Sequence, residues 1–327
     1  MFTYARPNHT TTVKRKVIID MDTGADDASA LILAARNPNI EILGVTVLAG
    51  NVDLEQGTKN ALMALEVAGV DAKVYKGSDT NCSNKKIEAF SVFGKDGMGD
   101  ADLIHPKKQA EEKDAIEFIL DTINEYPYEV ELIALGPATN VAKAIQRDIE
   151  TMKKLKMIWS MGTAGLSAGN ATPVAEFNVF NDPIAYDIML QSGIPITIIG
   201  LDKCDEMSQW TNEQFELLKS INDIGRFVYA SFGKLREFYA MNGSANSVMN
   251  CDALAMSCLI FDGFINKTVT CHGKCITHDC EAYGQVIFYR QGFTYDVAKN
   301  DFDYNVELVT DVDEADYFYL FLRSITT

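Results

Sequence analysis

From Val17 onward the chain alternates short apolar, β-branched runs with segments of helical composition, and nothing else in the sequence restricts its fold so strongly. The runs fall at 17–20, 40–50, 72–78, 130–137, 155–163 and 194–202. Between them lie helical patterns at 28–37, 54–69, 115–127 and 183–193, and a further helix that Thr139 and Asn140 can cap. Strands separated by helices pair in parallel, because each crossover carries the chain back to the end it started from. Parallel sheets are covered on both faces. The predicted fold class is therefore α/β, a mainly parallel central sheet with helices on both faces. Ligands of such sheets bind outside the carboxyl ends of the strands.

No repeat, low-complexity tract or Pro/Ser-rich linker interrupts the pattern, so residues 14–327 read as one domain. The polar, threonine-rich residues 1–13 read as a flexible N-terminal arm. Residues 80–108 form an irregular loop with Phe93, Gly94, Gly97 and Gly99. A helical region runs to about residue 242, a loop enters a helix at 248–260, and strand-like sequence precedes a last helix at 313–325. His272, Gly273 and Lys274 read as a turn between two strands.

Asp and Glu number 46 against 29 Lys and Arg, a net charge of −17. That balance excludes a nucleic-acid binder, which needs clustered cations to displace counterions, and it disfavours anionic membranes. With 47% hydrophobic residues the chain can bury a large core. It contains no apolar run long enough to span a bilayer and does not start with a secretory pattern. Seven scattered cysteines then read as reduced thiols in a cytoplasmic setting.

Part of the acid is concentrated. Asp20, Asp22, Asp26 and Asp27 place four carboxylates within eight residues, after the first apolar run and before a helix. Asp at a first helical turn stabilises the helix dipole, which accounts for Asp26 or Asp27 but not for all four. A divalent cation would offset their repulsion. Oxygen ligands without nearby His or Cys point to Ca²⁺ or Mg²⁺.

This segment resembles two families. Strand-Asp-x-Asp-x-Thr is similar to the haloacid dehalogenase-like, Mg²⁺-dependent phosphatases. The longer string Asp20-Met21-Asp22-Thr23-Gly24-Ala25-Asp26-Asp27 resembles the DxDPGxDD opening of the nucleoside hydrolases (inosine-uridine preferring), with Thr23 in place of Pro. Later motifs favour the second. Ala49-Gly50-Asn51 resembles its xGN segment, and Leu135-Gly136-Pro137-Ala138-Thr139-Asn140 its TGPLTN segment. Met161-Gly162-Thr163, then Gly169-Asn170-Ala171-Thr172-Pro173 through Ala175-Glu176-Phe177-Asn178 to Asp182-Pro183, is nearly its MGG…GNxTPxAEFNxxxDP signature. Asn250-Cys251-Asp252-Ala253 resembles its HDA segment, with Cys251 where many members carry His. Phe93 likewise replaces the His of its HGxxGLG loop.

The resemblance implies hydrolysis of the N-ribosidic bond of ribonucleosides to ribose and free base, in nucleoside salvage. It implies Ca²⁺ held by Asp22, Asp27, the Leu135 carbonyl and Asp252, with Asp20 close behind. Asp22 would be the general base toward a calcium-bound water that Asn51 orients. Asp26, Asn170, Glu176, Asn178 and Asp252 would bind ribose, Met161 would line the floor, and Phe93 and Phe177 would flank the substrate. Cys251 is either a leaving-group acid or a small lining residue. Absence of His at 251 leans the base preference toward purines, whose ring nitrogens protonate more readily than uracil. The family implies a homodimer or homotetramer. Two rivals remain: the phosphatase, disfavoured by the missing basic clamp, and a non-catalytic nucleoside- or ribose-binding protein. Tyr229, Phe238 and Tyr239 are candidates to stack on a base, and Cys271, His272, Cys275, His278 and Cys280 form a weaker zinc candidate.

Overall fold

The computed structural model describes residues 14–244, 246–292, 302–313 and 317–326. The expected arm at 1–13 lies outside the described residues. Six strands lead the chain: β1 (Arg15–Met21), β2 (Ile40–Val47), β3 (Val74–Lys76), β4 (Val130–Ala134), β5 (Met157–Met161) and β6 (Ile196–Ile199). After them come β7 (Gln209–Thr211), β8 (Ser247–Met249), β9 (Ile265–Cys275), β10 (Val286–Arg290) and β11 (Val306–Val312). Nine strands form one sheet in the order β10-β9-β11-β6-β5-β4-β1-β2-β3, while β7 and β8 pair separately. Within the nine-stranded sheet pairing is parallel from β3 across to β11 and antiparallel only at β9, and β7 and β8 also pair antiparallel. The expected α/β class, with a mainly parallel sheet, is what the chain adopts.

Side chains alternate across this sheet, as the two-residue period requires. Val17, Ile19 and Met21 point into one core, with helices Ala25–Ala35, Leu54–Ala68 and Cys251–Ile260. Ile18, Leu132 and Ala134 point into the other, with helices Ala115–Glu125, Thr139–Arg147 and Pro183–Leu190. Local chemistry sets the helix ends. Asp53 accepts the Gln56 N–H at 2.8 Å to start one helix, and Gly69 ends it in the left-handed region at φ 72°.

Three local expectations change. His272-Gly273-Lys274 is not a turn, since β9 runs unbroken through Cys275 and the chain reverses only at 276–285. Gly273 serves close packing instead, because a Cβ there would lie 2.9 Å from Leu190. Helix Thr139–Arg147 has Ala138 at its N-cap with no side-chain cap, and Asn140 turns inward to the site described below. The 80–108 segment contains a short helix, Phe90–Phe93.

Strand order reverses direction between β1 and β4: β2 and β3 lie on one side, β5 and β6 on the other. A crevice opens where successive crossovers depart to opposite sides, at the carboxyl ends of those two strands. The opposite ends are closed by Glu131, which accepts from Arg15, from Lys156 Nζ at 2.9 Å and from Trp159 Nε1 at 2.9 Å. Burial would raise the Glu131 carboxyl, but these donors outweigh it and hold it below its ordinary value. Glu131→Ala removes the acceptor for three buried or half-buried donors. It is expected to cost about 2 kcal/mol in denaturant unfolding, with catalytic constants unchanged because the crevice is at the far end of the strands.

Candidate active site

Asp22 follows β1 directly, and Leu135 and Gly136 follow β4, so the switch point carries the first acids. Asp20, Asp22 and Asp27 are fully buried, and Asp252 nearly so. Asp26, Asp27 and Asp252 bring carboxylate oxygens within 4.8 Å of one another, the one such convergence of His, Cys, Asp or Glu among the described residues. Two ionised carboxylates at that spacing oppose each other by roughly 3–4 kcal/mol at an effective dielectric constant of 20.

Hydrogen bonds fix one oxygen of each acid and leave the other bare. Asp22 Oδ2 accepts the Asn51 N–H at 2.6 Å; Asp27 Oδ2 accepts the Gly24 N–H at 2.8 Å and the Asn51 amide at 3.2 Å. Asp20 Oδ1 accepts from Thr46 at 2.5 Å and from Asn140 at 2.8 Å. Asp20 Oδ2, Asp22 Oδ1 and Asp27 Oδ1 are buried without a hydrogen-bond partner among the described residues. Burial pushes Asp20 up to about 7, Asp22 to about 8 and Asp26 to about 6. Burial and neighbouring carboxylates push Asp27 and Asp252 well above the ordinary range. Bare, buried, mutually opposed oxygens fit a hard divalent cation.

Two glycines make room for the Asp22 carboxylate. A Cβ at Gly136 would sit 2.6 Å from Oδ1, and a Cβ at Gly50 would overlap Oδ2 outright. The Gly in each of these short motifs is thus a steric requirement of one side chain.

Above the acids lies a cavity of about 310 Å³. Asp26, Asn51, Leu135, Met161, Asn170, Glu176, Asn178 and Asp252 line its polar half. Val92, Phe93, Phe177, Leu235, Phe238, Tyr239 and Met249 line the remainder, with Cys251. Among the described residues no lysine or arginine lines it to clamp a phosphorylated substrate. Glu176 caps helix Phe177–Asn181, accepting from Asn178 N at 2.8 Å and Val179 N at 3.3 Å, and also from Thr163 N at 3.2 Å. Burial lifts its carboxyl to about 7. Asn170 Oδ1 accepts the Phe177 N–H at 2.9 Å. Asn178 donates to the Leu135 carbonyl at 2.8 Å, so it orients the one backbone oxygen expected to ligate. The Cys251 thiol is held above its ordinary value by hydrogen bonding to Cys204, by burial and by the nearby Asp26 and Glu176.

The site brings together the residues to which the family resemblance gave roles, with Asp20 one layer behind the others. Of the stacking candidates, Phe238 and Tyr239 reach the cavity. Tyr229 does not: its hydroxyl donates to Glu216 at 2.8 Å and its ring lies under Arg236. All seven cysteines are free, and those of the zinc candidate do not converge. Sequence reading missed three supports. Thr46 and Asn140 grip Asp20, and buried Asn60 donates both to Thr23 O at 2.9 Å and to Asp96 O at 2.8 Å. The available signal was an Asn on the buried face of a helix, where its side chain needs a partner.

The sequence profile of the inosine-uridine preferring nucleoside hydrolases matches residues 17–319. The chain belongs to this family. Uridine nucleosidase 1 of Arabidopsis thaliana is 40% identical over 205 residues, 62% of this chain and 61% of that protein's length. A solved plant nucleoside hydrolase superposes with a TM-score of 0.89 at 28% identity, covering 96% of this chain and 99% of that one. A purine-preferring ribonucleoside hydrolase from Gardnerella vaginalis superposes with a TM-score of 0.87 at 27% identity, covering 95% and 98%. Like the other members, this nucleoside hydrolase family chain is a single-domain α/β fold, and no helix among its described residues is long and apolar enough to cross a membrane.

A cation bound by the acid cluster would make stability depend on it. The raised folded-state values exceed the unfolded carboxylate value of about 4, so the cation-free protein loses stability as pH rises from about 4 to 8. A divalent cation at 100 times its Kd would add about 2.7 kcal/mol. Thermal unfolding with Ca²⁺ or with chelator is expected to differ by several degrees at pH 8 and by less at pH 5.5. Equal Tm values at pH 8 would refute a cation site.

Proposed function

We propose that this chain hydrolyses the N-ribosidic bond of ribonucleosides, releasing ribose and the free base, with a leaning toward purines. One observation carries the reading. Bare carboxylate oxygens of Asp22 and Asp27, together with Asp252, lie beneath a cavity whose polar half offers Asn and Glu groups to a sugar and whose other half is aromatic and apolar. Asp22, Asp27, Asp252 and the Leu135 carbonyl, with Asp20 behind, would hold Ca²⁺, which would offset the cluster's charge and supply a more acidic water.

The residues of the chain then act as follows. Asn51 fixes Asp22 through its backbone N–H and Asp27 through its amide, which aims Asp22 Oδ1 at the attacking water. Asp22 takes that water's proton as general base. Asp26, Asn170, Glu176, Asn178 and Asp252 hold the ribose hydroxyls over Met161. As the bond to the base stretches, positive charge grows on the ribose, and the buried acids stabilise it where it forms. Phe93 and Phe177 flank the substrate. The Cys251 thiol retains its proton near neutral pH and can give it to the departing base.

Two substitutions separate these roles. Asp22→Asn is expected to lower kcat on inosine and uridine by about 10²–10⁴-fold while leaving the fold intact by circular dichroism. Cys251→Ser is expected to lower kcat on those nucleosides about tenfold or more and to spare p-nitrophenyl riboside, whose phenolate leaves without a proton. An equal loss on both substrates would remove Cys251 from leaving-group chemistry. Release of phosphate from nucleotides with no base from nucleosides would favour the phosphatase, and binding without turnover would favour the non-catalytic reading. The names of the relatives divide between uridine and purines, so a panel of kcat/KM values over uridine, inosine, adenosine and guanosine tests the purine leaning directly.

A further inference from the structure

The long signature that carries Glu176 and Asn178 continues into Asn181 and Asp182, neither of which reaches the cavity. Both are buried. Both bond to one other segment, residues 81–87, a hundred positions earlier in the chain, and Asp182 also caps helix Pro183–Leu190, its Oδ1 accepting the Ala185 N–H at 3.1 Å. Asn81 Nδ2 donates to the Asn181 carbonyl at 2.6 Å, and Asn181 Nδ2 donates to the Ile87 carbonyl at 3.0 Å. The Cys82 N–H donates to Asp182 Oδ2 at 2.8 Å, an oxygen that also accepts from Thr139 at 2.7 Å. Asn81 closes the segment on itself, accepting from Ser83 N and Lys85 N at 2.9 Å each. Directly after the clamped residues come Ala89, Val92 and Phe93, one wall of the cavity. Ala89 N–H in turn donates to the Asn51 carbonyl at 3.0 Å.

We infer that Asn181, with Asp182, is a positioning residue that fixes the 88–93 wall against the base of the substrate, tying the base side of the pocket to the same loop that grips the ribose. Residues 81–86 are polar apart from Cys82, and the apolar anchors Val92 and Phe93 come only after them, so without other ties this stretch would move on its own. The clamp supplies those ties as reciprocal side chain to backbone bonds, which no surface loop could make without buried partners. It bears chiefly on the base half, because Glu176 keeps its own bonds to the Thr163, Asn178 and Val179 N–H groups.

This inference rests on the nucleoside reading, and its test keeps the two apart. Asn181→Asp keeps size and removes the donor to Ile87; Asn81→Asp likewise keeps size and removes the opposite donor, to the Asn181 carbonyl, should the first variant fold poorly. In each, KM for inosine and uridine is expected to rise about tenfold, the equivalent of one lost hydrogen bond, with kcat within about threefold. The dissociation constant of free ribose, measured by calorimetry, stays within about twofold, and amide hydrogen exchange quickens over 81–93 but not over 170–178. A merely structural role would weaken ribose and nucleoside alike, and that result, or unchanged KM and exchange, overturns the inference. A wild-type protein that neither splits nucleosides nor binds ribose overturns the nucleoside reading; the exchange comparison still decides the clamp.

Discussion

Everything in this molecule is arranged around carboxylates buried without a counter-charge from the protein. Six acids, Asp20, Asp22, Asp26, Asp27, Glu176 and Asp252, have carboxyls raised mainly by burial. Domain stability is only about 5–15 kcal/mol, and several like-charge pairs at a few kcal/mol each would consume it. Among the described residues no arginine or lysine lines the cavity to balance them. A bound divalent cation is the compensation that the geometry allows, and the same unbalanced field is what a cationic, oxocarbenium-like sugar requires.

The parallel sheet makes that concentration possible. A switch point gives two adjacent strand ends whose following loops diverge, so Asp22 from one and the Leu135 carbonyl from the other can meet in the gap. Glycines at 50 and 136 keep the gap open for a single carboxylate. Helix Cys251–Ile260 arrives from the far end of the chain to add Asp252, pinned by the Ser29 hydroxyl donating to Asn250 Oδ1 at 3.0 Å and the Tyr317 hydroxyl donating to the Asn250 carbonyl at 2.8 Å. At the opposite ends of the strands Glu131 is paired and hydrogen-bonded. The two ends of the sheet thus solve the burial of acid differently, one with the protein's own cations and one by leaving oxygens bare.

Much of this was legible beforehand. Alternating strand and helix patterns specify the class of sheet, and a run such as Asp20 to Asp27 has no economical structural explanation. The supports were not legible, because they depend on which buried faces meet. Asn140 reads as a helix cap, since Asn is favoured there, but packing turns it toward Asp20. Asn60 and Asn181 look like ordinary polar positions until the chain brings Thr23, Asp96 and Ile87 to them. His272 to Lys274 reads as a turn from its glycine, whereas that glycine answers to Leu190 on a neighbouring helix. Local chemistry pointed to the groups that gather at the cavity; long-range contact decided what holds them.

The central claim is that one divalent cation completes the site. Elemental analysis of the protein after gel filtration in calcium-containing buffer, with the protein concentration fixed by amino-acid analysis, tests it most directly. The account predicts one calcium per chain in the native protein and none in Asp27→Asn or Asp252→Asn. A native protein that retains no divalent cation, or variants that retain it undiminished, would contradict it.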